Sequence, residues 1–99
     1  MTTYFISRHP GAMDWAAEEG IPVDERISHL DMDTIQPGDV VIGTLPVNLI
    51  AGVCARGGRY LHLSLELPLD KRGQELTATE MRQYQARVEE YRAVQMKGG

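Results

Sequence analysis

Val40-Val41-Ile42 is an unbroken β-branched run, bounded by Gly38-Asp39 before it and Gly43-Thr44-Leu45-Pro46 after it. A strand with one wet face alternates polar and apolar residues, whereas a run without alternation is covered on both faces, as the inner strands of parallel sheets are. The chain must therefore supply helices for two sides of a sheet. That requirement points to an α/β domain.

The remaining segments fit that demand. Residues 3–7 read as a first strand, and residues 11–19 as a first helix, opened by Pro10-Gly11 and closed by Gly20, with Pro22 preventing continuation. Residues 26–30 form a weak second strand. Residues 31–38, with Asp-Met-Asp and Gln-Pro-Gly-Asp, are a connector of turn formers leading into the central strand at 39–43. Residues 47–56 place Leu49, Ile50, Val53 and Cys54 on one face of a buried helix that Gly57-Gly58 ends. Residues 59–67 alternate, with Leu61, Leu63, Leu65 and Leu67 on a core face and Tyr60, His62, Ser64 and Glu66 on a partly wet one. A loop over 68–76 carries Lys71-Arg72-Gly73. A last helix begins at Thr77, where Glu80 completes a capping box. Its Met81, Tyr84, Val88 and Tyr91, spaced 3, 4 and 3, form a stripe that either covers the sheet or meets a symmetry mate.

The predicted order is β-α-β-β-α-β-α, with a mainly parallel four-stranded sheet and right-handed crossovers. The connector between the second and third strands is short for a parallel crossover. Either it contains a single helical turn, or the second strand lies antiparallel at an edge.

With 99 residues the chain is expected to be one domain over 1–99, burying about two-thirds of its unfolded surface, so that dimerisation would help a modest core. The net charge of −4 and pI near 5.2 argue against a general binder of duplex nucleic acid. The charge is uneven: residues 1–40 hold eight acidic and two basic side chains, residues 41–99 six and eight. A small anion would have to be met by Arg8 with Arg56, Arg59, Lys71 and Arg72. Cys54 is the only cysteine, so neither an internal disulfide nor a thiolate cluster can form. No basic-then-apolar leader or apolar run near 18 residues is present, and a soluble, cytoplasmic protein without membrane contact is expected.

The candidate chemistry lies where strands run into helices. The first strand ends in Ser7-Arg8-His9, a hydroxyl, a guanidinium and an imidazole, beside a helix start at Pro10-Gly11 whose N–H groups suit a phosphate. Gly11 lets another backbone or a ligand approach closely. The competing reading is that Ser7 and Arg8 cap and cover a sheet edge. If the first and third strands are neighbours, Thr44, Leu45, Pro46 and Asn48 share one crevice with that triplet, at the carboxyl ends where ligands bind in such folds. Thr44 would then either cap the second helix or donate to a phosphate oxygen. His9, His29 and His62 have no i, i+4 pairing and no compelling carboxylate cluster, so no metal and no cofactor are expected. His29 reads as a surface residue and His62 as ambiguous.

Four stretches carry a family resemblance: the opening Met-Thr-Thr-Tyr-Phe-Ile-Ser-Arg-His-Pro-Gly-Ala, the central Gly-Asp-Val-Val-Ile-Gly-Thr-Leu-Pro-Val-Asn-Leu, Arg-Tyr-Leu-His-Leu-Ser-Leu, and Arg-Gly-Gln-Glu-Leu-Thr. Together they resemble a small CRISPR-associated accessory family of type III loci, the Csx-sixteen (VVA1548) group, over nearly the whole chain. The resemblance implies a three-layer Rossmann-like domain, related to the CARF domains that sense cyclic oligoadenylate. It also implies a ring nuclease that cuts cyclic tetra-adenylate (cA4) and so switches off type III signalling. A C2 homodimer would present the same strand ends to both halves of the ring.

Metal-independent cleavage would use the ribose 2′-OH as nucleophile. In that chemistry Arg8 meets the phosphorane charge, Ser7, Thr44 and Asn48 orient, His9 moves protons, and Lys71 and Arg72 help bind the ligand. Adenine would stack on Tyr60 or another exposed ring. A protein that binds the ring without cutting it is the second reading. A histidine phosphatase is the third, although Pro10 stands where that motif has Gly and those enzymes need a second catalytic His in a much longer domain.

Overall fold

The computed structural model describes residues 1–7 and 11–96. Five strands form one sheet: β1 (Thr3–Ile6), β2 (Glu25–Ile27), β3 (Val40–Gly43), β4 (Arg59–Ser64) and β5 (Arg87–Tyr91). They lie in the order β2-β1-β3-β4-β5. All neighbours are parallel except β4 and β5, which are antiparallel. The helices are α1 (Gly11–Glu18), α2 (Val47–Ala55) and α3 (Ala78–Gln83).

The uninterrupted run lies where its composition demands. Val41 faces Tyr4 of β1 and Tyr60 of β4 in register, and Val41 and Ile42 are 0% and 1% exposed. On one side of the sheet Phe5, Ile42 and Leu63 pack with Ala12, Trp15 and Ala16 of α1 and with Leu76 and Met81 at α3. On the other, Val41 and Tyr60 pack with Ile35 and with Val53 of α2. Helices thus cover both faces. Leu61, Leu65 and Leu67 join Leu63 on the α1 side, as the alternation predicts.

At the end away from the helix starts, the buried Asp39 carboxylate accepts the Thr2 N–H and the Gln36 N–H, both at 2.9 Å, and the Val40 N–H donates to the Thr2 carbonyl at 2.8 Å. The N–H of Gln36, then that of Thr2, holds the Asp39 carboxyl below its ordinary range. β1 and β3 are thereby fixed edge to edge.

Two expectations are corrected, and one left open is decided. The sheet has five strands, not four, and the order of elements ends in a strand. The last helix stops at Gln83: the Gln85 N–H donates to the Arg82 carbonyl and the Ala86 N–H to the Met81 carbonyl, with Gln85 left-handed at φ 58°. This is a Schellman ending, normally made by Gly. Val88 and Tyr91 therefore belong to β5, because β4 offers a free edge that residues 87–91 pair with in preference to continuing a helix. The capping box of Thr77 and Glu80 is formed as expected. Finally, the second strand is Glu25–Ile27 and parallel. The first of the two alternatives for its connector is realised, a 3-10 turn at Met32–Thr34 whose start Asp31 caps by accepting the Asp33 N–H.

Candidate functional site

In this strand order β1 and β3 are adjacent, and the chain leaves them in opposite directions: through α1 toward β2, and through α2 toward β4. The carboxyl ends of two such strands part around a crevice. Here it measures about 780 Å³, within the range of ligand pockets.

Ser7 at the end of β1 and Thr44, Leu45 and Pro46 at the end of β3 form its two central walls. Leu63, Leu65 and Leu67 make an apolar side, the Leu49 side chain extends that surface from α2, and Gly73, Gln74 and Glu75 close it from the loop before α3. Ser28 and His29 reach it from the end of β2. The polar groups are thus three hydroxyls, an imidazole, an amide and a carboxylate over an apolar floor. That set can hydrogen-bond a sugar or phosphate and cover the edge of a base.

The β3–α2 turn is held by Tyr60. Its ring is fully buried, and its hydroxyl donates to the Gly43 carbonyl at 2.8 Å and accepts the Leu45 N–H at 2.9 Å, while His62 Nδ1 lies 2.8 Å away. Burial pushes the Tyr60 hydroxyl above its ordinary range, against the smaller opposing pull of the Leu45 N–H. Thr44, between the two clamped residues, is exposed and lines the crevice.

The expected site residues are distributed as follows. Ser7, Thr44, Leu45 and Pro46 line the crevice together. Arg8 and His9 lie outside the described residues. Thr44 does not cap α2; the N-cap position is Pro46, whose ring carries no hydrogen-bonding group. Asn48 lines a different hollow, between α2 and residues 92–95, because as the second residue of α2 its side chain is rotated away from the strand end. Gly11 does admit a close approach, but of backbone: its N–H donates to the Leu76 carbonyl at 3.1 Å, and a Cβ there would lie 2.3 Å from the Ala78 nitrogen. Lys71 ends the 3-10 turn Leu69–Lys71 and Arg72 follows it, next to the Gly73–Glu75 wall but not in it. Tyr60 is buried and offers no face to an adenine. Tyr91 is the half-exposed ring nearby, edge-on to His62.

Sequence reasoning passed over Ser28, Gln74 and Glu75, and it read His29 as a surface residue, which it is, without placing it at the crevice. The signal was the strand reading at residues 26–30 itself: once β2 pairs in parallel with β1, its end must arrive beside Ser7. Among the described residues no three His, Cys, Asp or Glu side chains are grouped to hold a metal ion, and no helix is long and apolar enough to cross a membrane.

No curated protein and no solved structure matches the chain. A family described as "Putative CRISPR-associated protein (Cas_VVA1548)" matches residues 4–94, which reach all five strands and include both walls of the crevice. The chain belongs to that CRISPR-associated family.

Proposed function

We propose that this protein is a ring nuclease: it binds cyclic oligoadenylate, cA4 foremost, in the crevice at the ends of β1 and β3, and opens the ring without a metal. The observation that carries the reading is that crevice, hydroxyl-walled and apolar-floored, in a member of a CRISPR-associated family. Its size suits part of a tetranucleotide ring, so two protomers related by a two-fold axis would each take one half.

In the reaction the ribose 2′-oxygen bonds to the adjacent phosphorus, the bond from phosphorus to the 5′-oxygen breaks, and the proton lost by the 2′-OH is balanced by one delivered to the leaving 5′-oxygen. The products are a 2′,3′-cyclic phosphate and a 5′-OH. Ser7 and Thr44 orient the ribose and phosphate, and Arg8, the next residue after Ser7, neutralises the charge that builds on phosphorus. His9 transfers protons, since imidazole can hold and release one near neutral pH. Such help is worth roughly 10²–10⁴ in rate.

Incubating the purified protein with cA4 in EDTA and resolving the products by chromatography tests this directly. Linear products ending in a 2′,3′-cyclic phosphate support it; tight binding with intact cA4 makes the protein a sink for the messenger, and no binding rejects the site. Arg8→Ala should weaken binding and cleavage together, whereas His9→Ala should spare binding more than cleavage. Light scattering with ligand present should give about twice the 11.0 kDa chain mass.

A further inference from the structure

We infer that Tyr60 and His62 are positioning residues of the crevice, and that His62 holds Tyr60 in place as the Nδ1–H tautomer with a bare Nε2. The tautomer follows from counting protons around one oxygen. The Tyr60 hydroxyl has a single hydrogen and two lone pairs. Its three neighbours are the Gly43 carbonyl, which can only accept, the Leu45 N–H, which can only donate, and His62 Nδ1, which can do either.

An O···O contact of 2.8 Å to a carbonyl requires a proton between the two oxygens, so the phenolic hydrogen is committed to Gly43. One lone pair takes the Leu45 N–H. The remaining one can be satisfied by His62 at 2.8 Å only if Nδ1 carries the hydrogen. The opposite tautomer would leave the Gly43 carbonyl and a bare Nδ1 competing for the single phenolic hydrogen, with one of the two 2.8 Å contacts holding no proton.

The consequence reaches the site through the backbone. Tyr60 bonds the residue before Thr44 and the residue after it, so the peptide units on either side of Thr44 have no freedom to rotate, and Thr44 is presented to the crevice. His62 in turn is steadied by the Tyr91 ring, whose centroid lies 5.9 Å away in an edge-on arrangement. The chain of support therefore runs from β5 through β4 to the end of β3. The link from this clamp to ligand binding rests on the function proposed above; the tautomer does not.

Two measurements separate those parts. In ¹⁵N-resolved NMR of the wild-type protein above the histidine titration range, His62 should show a protonated Nδ1 and an unprotonated Nε2, the less common form for a free imidazole. A protonated Nε2 with bare Nδ1 overturns the assignment. Tyr60→Phe keeps the buried ring and removes the oxygen, so it should release His62 to the ordinary tautomer and lower cA4 affinity by about tenfold, with the circular dichroism spectrum unchanged. Unchanged affinity in Tyr60→Phe, against a wild type that binds, defeats the positioning role. A wild type that binds no ring defeats the proposed function instead, while the NMR result still decides the tautomer.

Discussion

The two strand-to-helix passages at the crevice are anchored by opposite means. At the start of α1 the fit is backbone on backbone: Gly11 lies against Thr77 and Ala78 at the start of α3, with no room for a methyl group. At the start of α2 the anchor is one side chain from a neighbouring strand, the Tyr60 hydroxyl bridging Gly43 and Leu45. A backbone contact of the first kind tolerates no side chain but needs no particular partner chemistry. The second kind tolerates shape changes and depends on a single oxygen. One passage is thus a packing constraint and the other a hydrogen-bonding one, and substitutions should divide them cleanly.

The largest effect should come from Gly11→Ala. A Cβ at 2.3–2.6 Å from three backbone atoms of Thr77 and Ala78 must push α1 and α3 apart, costing about 3 kcal/mol or more in urea unfolding. A variant as stable as the wild type would show that the helix starts do not meet at residue 11. Tyr60→Phe should cost less, about 1–2 kcal/mol, because the core stays filled and the loss is confined to unsatisfied polar groups. Its signature is local: amide exchange at Leu45 should accelerate while that at Val41 stays slow. Equal protection of Leu45 in both proteins would mean that something other than Tyr60 holds the turn.

The difference between the anchors also explains what the sequence made legible. Val40-Val41-Ile42 and the leucines of β4 announce their places because burial on two faces or on one leaves a periodic imprint. Gly11 announces a close approach, though not what approaches. Tyr60 announces nothing: in the alternation of residues 59–67 it stands with the outward set, and only the packing of α2 over that face turns it inward. Ser7 and Thr44 can be placed together from the sequence, because both end strands that run into helices and such strands are neighbours here. Ser28 and His29 cannot, since the sequence leaves the direction of the second strand open and only its parallel pairing with β1 brings its end beside Ser7. Asn48 faces another hollow because a helix rotates its side chains by about 100° per residue, and the second residue of α2 already points away from the strand end.

The smallest predicted effect concerns the missed strand. α1 and α3 end in the same way: Ile21 donates to the Ala16 carbonyl around a left-handed Gly20 at φ 71°, and Ala86 donates to the Met81 carbonyl around a left-handed Gln85 at φ 58°. Glycine made the first ending visible and its lack hid the second, so the helix pattern was carried through to Tyr91. Left-handed backbone costs a residue with a Cβ about 1 kcal/mol, set against the larger unfolded-state entropy of glycine. Gly20→Ala, whose added methyl would meet nothing within 4 Å, should therefore lose up to about 1 kcal/mol, and Gln85→Gly should gain about 0.5 kcal/mol, with unchanged urea slopes. If Gln85→Gly instead destabilises the protein, the turn into β5 owes its shape to the glutamine side chain, and the two helix ends are alike in geometry alone.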